Sequence, residues 1–120
     1  MKRNMDLCRK ILLAIEEKYI DTPIYNLKIE NYPVEQIAYH CKILHDANLI
    51  FDYKANYGGN HIVSFGVGVL TWAGNEYLDK IRSNSIWNKI KNTLNEKGIS
   101  ITFESTARLA TNIIADLINN

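Results

Sequence analysis

Two stretches decide the reading of this chain: Ile37-Ala38-Tyr39-His40-Cys41-Lys42-Ile43-Leu44-His45-Asp46-Ala47-Asn48-Leu49-Ile50 and Leu70-Thr71-Trp72-Ala73-Gly74-Asn75-Glu76-Tyr77-Leu78. In the first, Ile37, Cys41 and Leu44 fall on one helical stripe. Asn48 then stands where a helix ends in a left-handed residue, a conformation Asn tolerates second only to Gly. The second stretch opens on Thr71, a helix cap. Between them, Leu49–Ala55 and His61–Val69 are strand candidates around Asn56-Tyr57-Gly58-Gly59-Asn60, where adjacent glycines admit positive φ. Helix, hairpin, helix in that order is the layout of a winged helix-turn-helix domain, with the hairpin as its wing. The expected fold is α+β: a winged helix-turn-helix-like core over about residues 4–82 with additional C-terminal helices over about 85–119.

Working outward, Asn4 caps a first helix to about Lys18, with Cys8, Ile11, Leu12 and Ile15 as its buried stripe. Thr22-Pro23 breaks it, and Ile24, Leu27 and Ile29 lie in a short extended segment. Pro33 opens the next helix, whose core stripe is Val34, Ile37, Cys41 and Leu44 with Ala38 beside them. Thr71 caps a third, burying Trp72, Tyr77, Leu78 and Ile81. A fourth starts at Ser85, buries Ile86, Trp87, Ile90 and Leu94, and stops at Lys97-Gly98. The last runs from Thr102 to about Ile118 with a broad apolar face.

Composition bounds the class. The 120 residues are 47% hydrophobic and 22% charged, enough for a core and too apolar for wholesale disorder. Net charge is +1 and the pI about 7.8, whereas a dedicated DNA binder is usually strongly basic. Cys8 and Cys41 both sit in apolar helical patterns, which fits a reduced, cytoplasmic protein with no disulfide framework. No signal-like segment opens the chain, and no run approaches the roughly 20 apolar residues of a membrane span.

The motifs Met-Lys-Arg-Asn-Met-Asp-Leu-x-Arg-Lys-Ile-Leu, Ala-Tyr-His-x-x-x-Leu, Leu-Thr-Trp-x-Gly-x-x-Tyr-Leu-Asp-x-Ile-Arg and Ile-Trp-Asn-Lys-Ile-Lys resemble, in this order, an uncharacterised family of small bacterial, phage and prophage proteins, domain of unknown function 2513. The resemblance covers almost the whole chain. It implies a winged-helix-like fold and a mobile-element origin, and it carries over no catalytic residue. Where similar winged helices end the central helix on glycine, this chain has Asn48.

Candidate sites follow from chemistry. For DNA or a partner, the helix before the wing offers Tyr39 and Lys42, although Glu35 and Asp46 flank the lysine and repel phosphate. The wing offers Lys54, Asn56, Tyr57, Asn60 and His61. Basic clusters lie at Lys2, Arg3, Arg9 and Lys10 and at Lys80, Arg82, Lys89, Lys91 and Lys97, which solvated helix faces also explain. A second helix of the helix-turn-helix is missing, since Thr22–Tyr32 reads as extended. Cys41 and His45 share a helix face with Cys8 and His61 as further zinc ligands in principle, but no Cys-x-x-Cys pairs them and core thiols are the better reading, so neither metal nor cofactor is expected. His40 is read as a ring hydrogen-bonded to backbone rather than a catalytic base. No nucleophile elbow, phosphate loop or His-Glu-x-x-His is present, and no enzyme is expected.

Two functions emerge. The first is a non-enzymatic phage-type winged-helix regulator that binds DNA. The alternative is a module that binds a host or phage protein, as an antagonist of a host system, without touching DNA. A homodimer is expected through Phe103, Ala110, Ile113, Ile114 and Leu117 on the last helix.

Overall fold

A computed structural model describes residues 1–119. The order of elements is α1 (Met5–Lys18), β1 (Ile24–Tyr25), α2 (Val34–Asp46), β2 (Tyr53–Gly58), β3 (His61–Val67), α3 (Trp72–Ile81), α4 (Asn84–Glu96) and α5 (Phe103–Asn119). The described residues thus form a mixed fold of five helices and one three-stranded antiparallel sheet, in the order β1-β3-β2. The chain divides into two compact units, one from Met1 to Asn75 and one from Glu76 onward, with the boundary inside α3.

In the first unit, α1 forms as its cap and stripe require. The Asn4 side chain accepts from the Leu7 N–H at 3.0 Å, and Cys8, Ile11, Leu12 and Ile15 are fully buried. Helix α2 buries Ile37, Ala38, Cys41 and Leu44 but leaves Val34, at its first turn, 40% exposed. The helix ends in a Schellman motif. Asn48 is left-handed at φ 62°, its N–H bonds the His45 carbonyl, and the Leu49 N–H bonds that of Leu44. His40 ties the two helices together. Its Nε2 accepts from the Asn4 N–H and its Nδ1 pairs with the Gln36 carbonyl, both at 2.8 Å, so the proton sits on Nδ1. His40→Leu should therefore strand the Asn4 N–H and cost about 1–3 kcal/mol in urea unfolding; a loss below about 0.5 kcal/mol would show that this bond does not hold α1 to α2.

Between Ile24 and Pro33 the chain forms no helix. Strand β1 is two residues long because Asn26 turns left-handed (φ 52°) and completes the pairing itself. Its N–H bonds the Phe65 carbonyl at 2.8 Å, and its Oδ1 accepts from the Phe65 N–H at 3.0 Å. Strand β3 falls inside its expected range, whereas β2 starts four residues later than expected and runs on to Gly58, past Ala55. Asp52 at φ 47° bends the chain before β2, which delays the strand beyond the apolar Leu49–Phe51. The hairpin turn is the two residues Gly59-Asn60, between the paired Gly58 and His61, tighter than the five-residue turn the sequence offered. Gly59 takes φ 65° at its first central position, where only glycine is at ease.

The start of α3 is built against the end of α2. Thr71 Oγ1 accepts from the Gly74 N–H at 2.9 Å and donates to the Asn48 carbonyl at 2.7 Å, while the Thr71 N–H bonds the Leu49 carbonyl at 3.1 Å. Gly74 lies directly on that Leu49 carbonyl, leaving no room for a Cβ. The expectation for Trp72 is corrected here: it is 80% exposed. Gly74, Tyr77, Leu78 and Ile81 are the buried positions, and Trp72 lies two residues, about 200°, from Gly74 around the helix. Trp72→Ala should change stability by less than about 0.5 kcal/mol and leave a blue-shifted emission from buried Trp87; a large loss would place Trp72 in the core after all.

In the second unit α4 starts at Asn84, one residue before the expected Ser85, and Ser83 caps it, accepting from the Ile86 N–H at 3.3 Å. Trp87, Ile90 and Leu94 are buried. Thr102 and Ser105 cap α5 reciprocally, each side-chain oxygen accepting the other's backbone N–H at 2.9–3.0 Å. Thr106, fully buried, meets the Tyr77 hydroxyl at 2.6 Å.

Candidate functional site

The exposed face of α2 and the hairpin that follows it form the candidate site in the first unit. On α2, Tyr39 is half-buried, its ring edge-on to His40 with centroids 5.5 Å apart. Lys42 is exposed but pairs with Asp46 at 3.5 Å, and Glu35 is exposed on the same helix. The charge available to a phosphate chain from this helix is accordingly small.

The hairpin is different. Lys54, Asn56, Tyr57, Asn60 and His61 are all exposed. Lys54 lies opposite Gly66 and Asn56 opposite Ser64, and Asn56 Nδ2 donates to Ser64 Oγ at 3.1 Å. The register then shifts between Asn56 and Tyr57: Tyr57 faces Ile62, leaving Val63 as the extra, exposed residue of a bulge. The inner face carries Phe65 and Val67, both buried, so the base of the hairpin is anchored while its end is free of packing. Across the sheet, the Tyr25 ring covers Gly66, where a Cβ would come within 3.1 Å of it.

The basic clusters fare unevenly. Lys2 and Arg3 are exposed. Lys10 stands over the Tyr32 ring at 5.4 Å. Arg9 is buried, at 9% exposure, and desolvation lowers its pKa, partly offset by Asp6; it is not an open phosphate contact, contrary to the reading of that cluster. In the second unit Arg82 pairs with Asp79 at 2.9 Å, Lys91 lies 5.8 Å from the Trp87 ring centroid, Lys89 is exposed and Lys80 half-buried. Residues 1–75 hold eight Lys and Arg against eight Asp and Glu, so the unit carrying the hairpin is neutral overall.

Cys8 and Cys41 are fully buried core thiols, each held up at about 12 by burial first; for Cys41 the neighbouring Cys8 adds to the effect. His45 and His61 are exposed, so the four residues weighed as zinc ligands do not all share one environment. Among the described residues no three His, Cys, Asp or Glu side chains are grouped to hold a metal, and no helix is long and apolar enough to cross a membrane.

The residues assigned to a dimer interface are also redistributed. Ala110 and Ile113 are buried by the chain itself and are corrected to core contacts, while Phe103 is half-buried and packs edge-on to Tyr77 with ring centroids 5.5 Å apart. Ile114 is half-buried, while Leu117 and Ile118 are 65% and 77% exposed. Sequence reasoning missed Phe51 and Trp72 as exposed aromatics. A helical wheel anchored on Tyr77, Leu78 and Ile81 separates Trp72 from the buried stripe; for Phe51 no signal exists before the bend at Asp52 is known.

The described residues form a mixed fold with five helices, a small antiparallel sheet and an exposed hairpin, and it is on this chain that the comparisons bear. The family profile described as "Hypothetical protein (DUF2513)" matches residues 2–100. An uncharacterized protein of Haemophilus influenzae is 33% identical over 119 residues, which is 98% of this chain and 99% of that protein. No solved structure matches. The chain belongs to the DUF2513 family.

Proposed function

We propose that this protein is a non-enzymatic winged-helix regulator that binds duplex DNA with its hairpin as the principal contact. The observation that carries the reading is the hairpin itself, which follows α2 and exposes Lys54 near its base and Asn56, Tyr57, Asn60 and His61 towards its open end. The sheet order β1-β3-β2, with α2 leading into the β2–β3 hairpin, supports the winged-helix assignment. The second helix of a helix-turn-helix has no counterpart, and the Lys42–Asp46 pair with Glu35 makes α2 a poor major-groove reader. Binding is therefore hairpin-led and uses few phosphates. With about one to three contacts, log affinity falls against log salt with a slope of roughly −1 to −3. A Lys54→Ala, His61→Ala double variant should weaken duplex binding at least tenfold and flatten that slope; unchanged binding removes the hairpin from the contact.

The second reading is a protein-interaction module on the same scaffold. One observation favours it: Tyr25, Phe51, Tyr57, Val63 and Trp72 are all strongly exposed in a unit with no net charge, and exposed aromatics of this kind serve as interface anchors. Trp72→Ala separates the readings, since it should leave DNA binding within twofold and abolish capture of a protein partner.

A further inference from the structure

The second unit holds a groove and, on the same helix, the side chains that complement it. The groove has a volume of about 500 Å³ and lies between the end of α4 and the first half of α5. Leu94, Ile99 and Leu109 line it with apolar surface, and Lys97 lines it as an exposed cation that makes no ion pair among the described residues. One turn beyond the last lining residue, Asn112, helix α5 carries Asp116, Leu117 and Ile118. Leu117 and Ile118 are 65% and 77% exposed, and Asp116 has no ion-pair partner among the described residues. Glu104 and Arg108 also line the groove but neutralise each other at 2.9 Å, so Lys97 is its uncompensated charge, and an acid with an exposed leucine beside it is what such a groove would accept.

That end of α5 cannot fill the groove of its own chain. At 1.5 Å per residue, Leu117 stands about 18 Å along the axis from Ser105. Ser105, Leu109, Asn112 and Asp116 follow at spacings of four, three and four, so the groove face of α5 continues into Asp116. Two such helices laid side by side in opposite directions bring the end of each onto the start of the other.

We propose that the occupant of the groove is a second copy of this chain: two α5 helices pair antiparallel, and Asp116 and Leu117 of each protomer close the groove of the other, with Asp116 beside the partner's Lys97. The contact forms twice under one two-fold axis, which closes the assembly at a dimer. This pairing is independent of whether the hairpin binds DNA.

Sedimentation equilibrium over a concentration series tests it with the full chain. The wild-type protein should rise from the 13.8 kDa of one chain towards twice that mass. Asp116→Lys and Lys97→Asp should each raise the dimer dissociation constant at least tenfold, and the two together should restore most of it. Both positions are exposed, so thermal melts by circular dichroism should show every variant folded. One-chain mass up to millimolar concentration overturns the proposal, as does a dimer indifferent to both single changes or a double variant that fails to recover.

Discussion

Gly74→Ala is expected to lower the stability of this protein by about 3 kcal/mol or more, a fall of roughly 10 °C or more in melting temperature for a chain of this size. The new Cβ would be driven into the Leu49 carbonyl, a backbone group that cannot rotate aside. Relief requires the start of α3 to move off the end of α2. That movement would pull on the Thr71 Oγ1 bonds to the Gly74 N–H and the Asn48 carbonyl, 2.9 and 2.7 Å long, which hold the joint. Gly59→Ala is the control. Gly59 needs its φ of 65° but has open space around it, so alanine there should cost only about 1 kcal/mol. Urea unfolding of both variants decides the matter. Equal losses would mean that the close approach of α3 to Leu49 is not what makes Gly74 indispensable.

The second large effect is alkaline. Burial pushes the Cys8 and Cys41 thiols up to about 12 from an ordinary 9.0. Below pH 9 both the folded and unfolded chains keep these protons, and the thiols do not alter stability. Above it the unfolded chain releases them first, so unfolding gains from proton release, and stability declines as pH rises towards 12. Each thiol can account for up to about 4 kcal/mol of that decline. The Tyr53 phenol, also raised to about 12 by burial and by Tyr57, acts in the same direction, more weakly because it is partly exposed. Urea midpoints should hold nearly level from pH 8 to 9 and fall steeply at pH 10 and 11, and Cys41→Ala should flatten that fall. The native thiols should likewise react slowly with a disulfide reagent until the protein unfolds. A flat profile to pH 11, or fast titration of the native protein, contradicts the burial of this pair.

Much of this architecture is readable from residue order because it is local. The stripes of α1, α2 and α4 follow a helical period, Asn4, Thr71 and Thr102 cap where short polar residues cap, and Asn48 ends α2 in the conformation its side chain permits. The absence of a helix between Thr22 and Tyr32 is equally local, since Asn26 and Asn31 both turn left-handed there. What escaped depends on contacts distant in sequence. Periodicity says that α5 is amphipathic but not where its cover stops, so Ala110 is buried and Leu117 is not. The two-residue β1 rests on Asn26 reaching Phe65, which no alternation of side chains announces. A run of basic residues in the sequence does not show that Arg9, next to Cys8, is buried with it. At the candidate site, the hairpin residues were identifiable from their turn chemistry, and the neutralisation of Lys42 from its spacing to Asp46.

The central proposal, that the hairpin meets duplex DNA, is tested most directly by adding unlabelled duplex to ¹⁵N-labelled protein at low salt and mapping the amide shifts. The prediction is a saturable change concentrated on Tyr53–His61, with smaller shifts on the exposed turns of α2 and reversal on adding salt. Shifts absent from the hairpin at saturating duplex, or unaffected by salt, would contradict it.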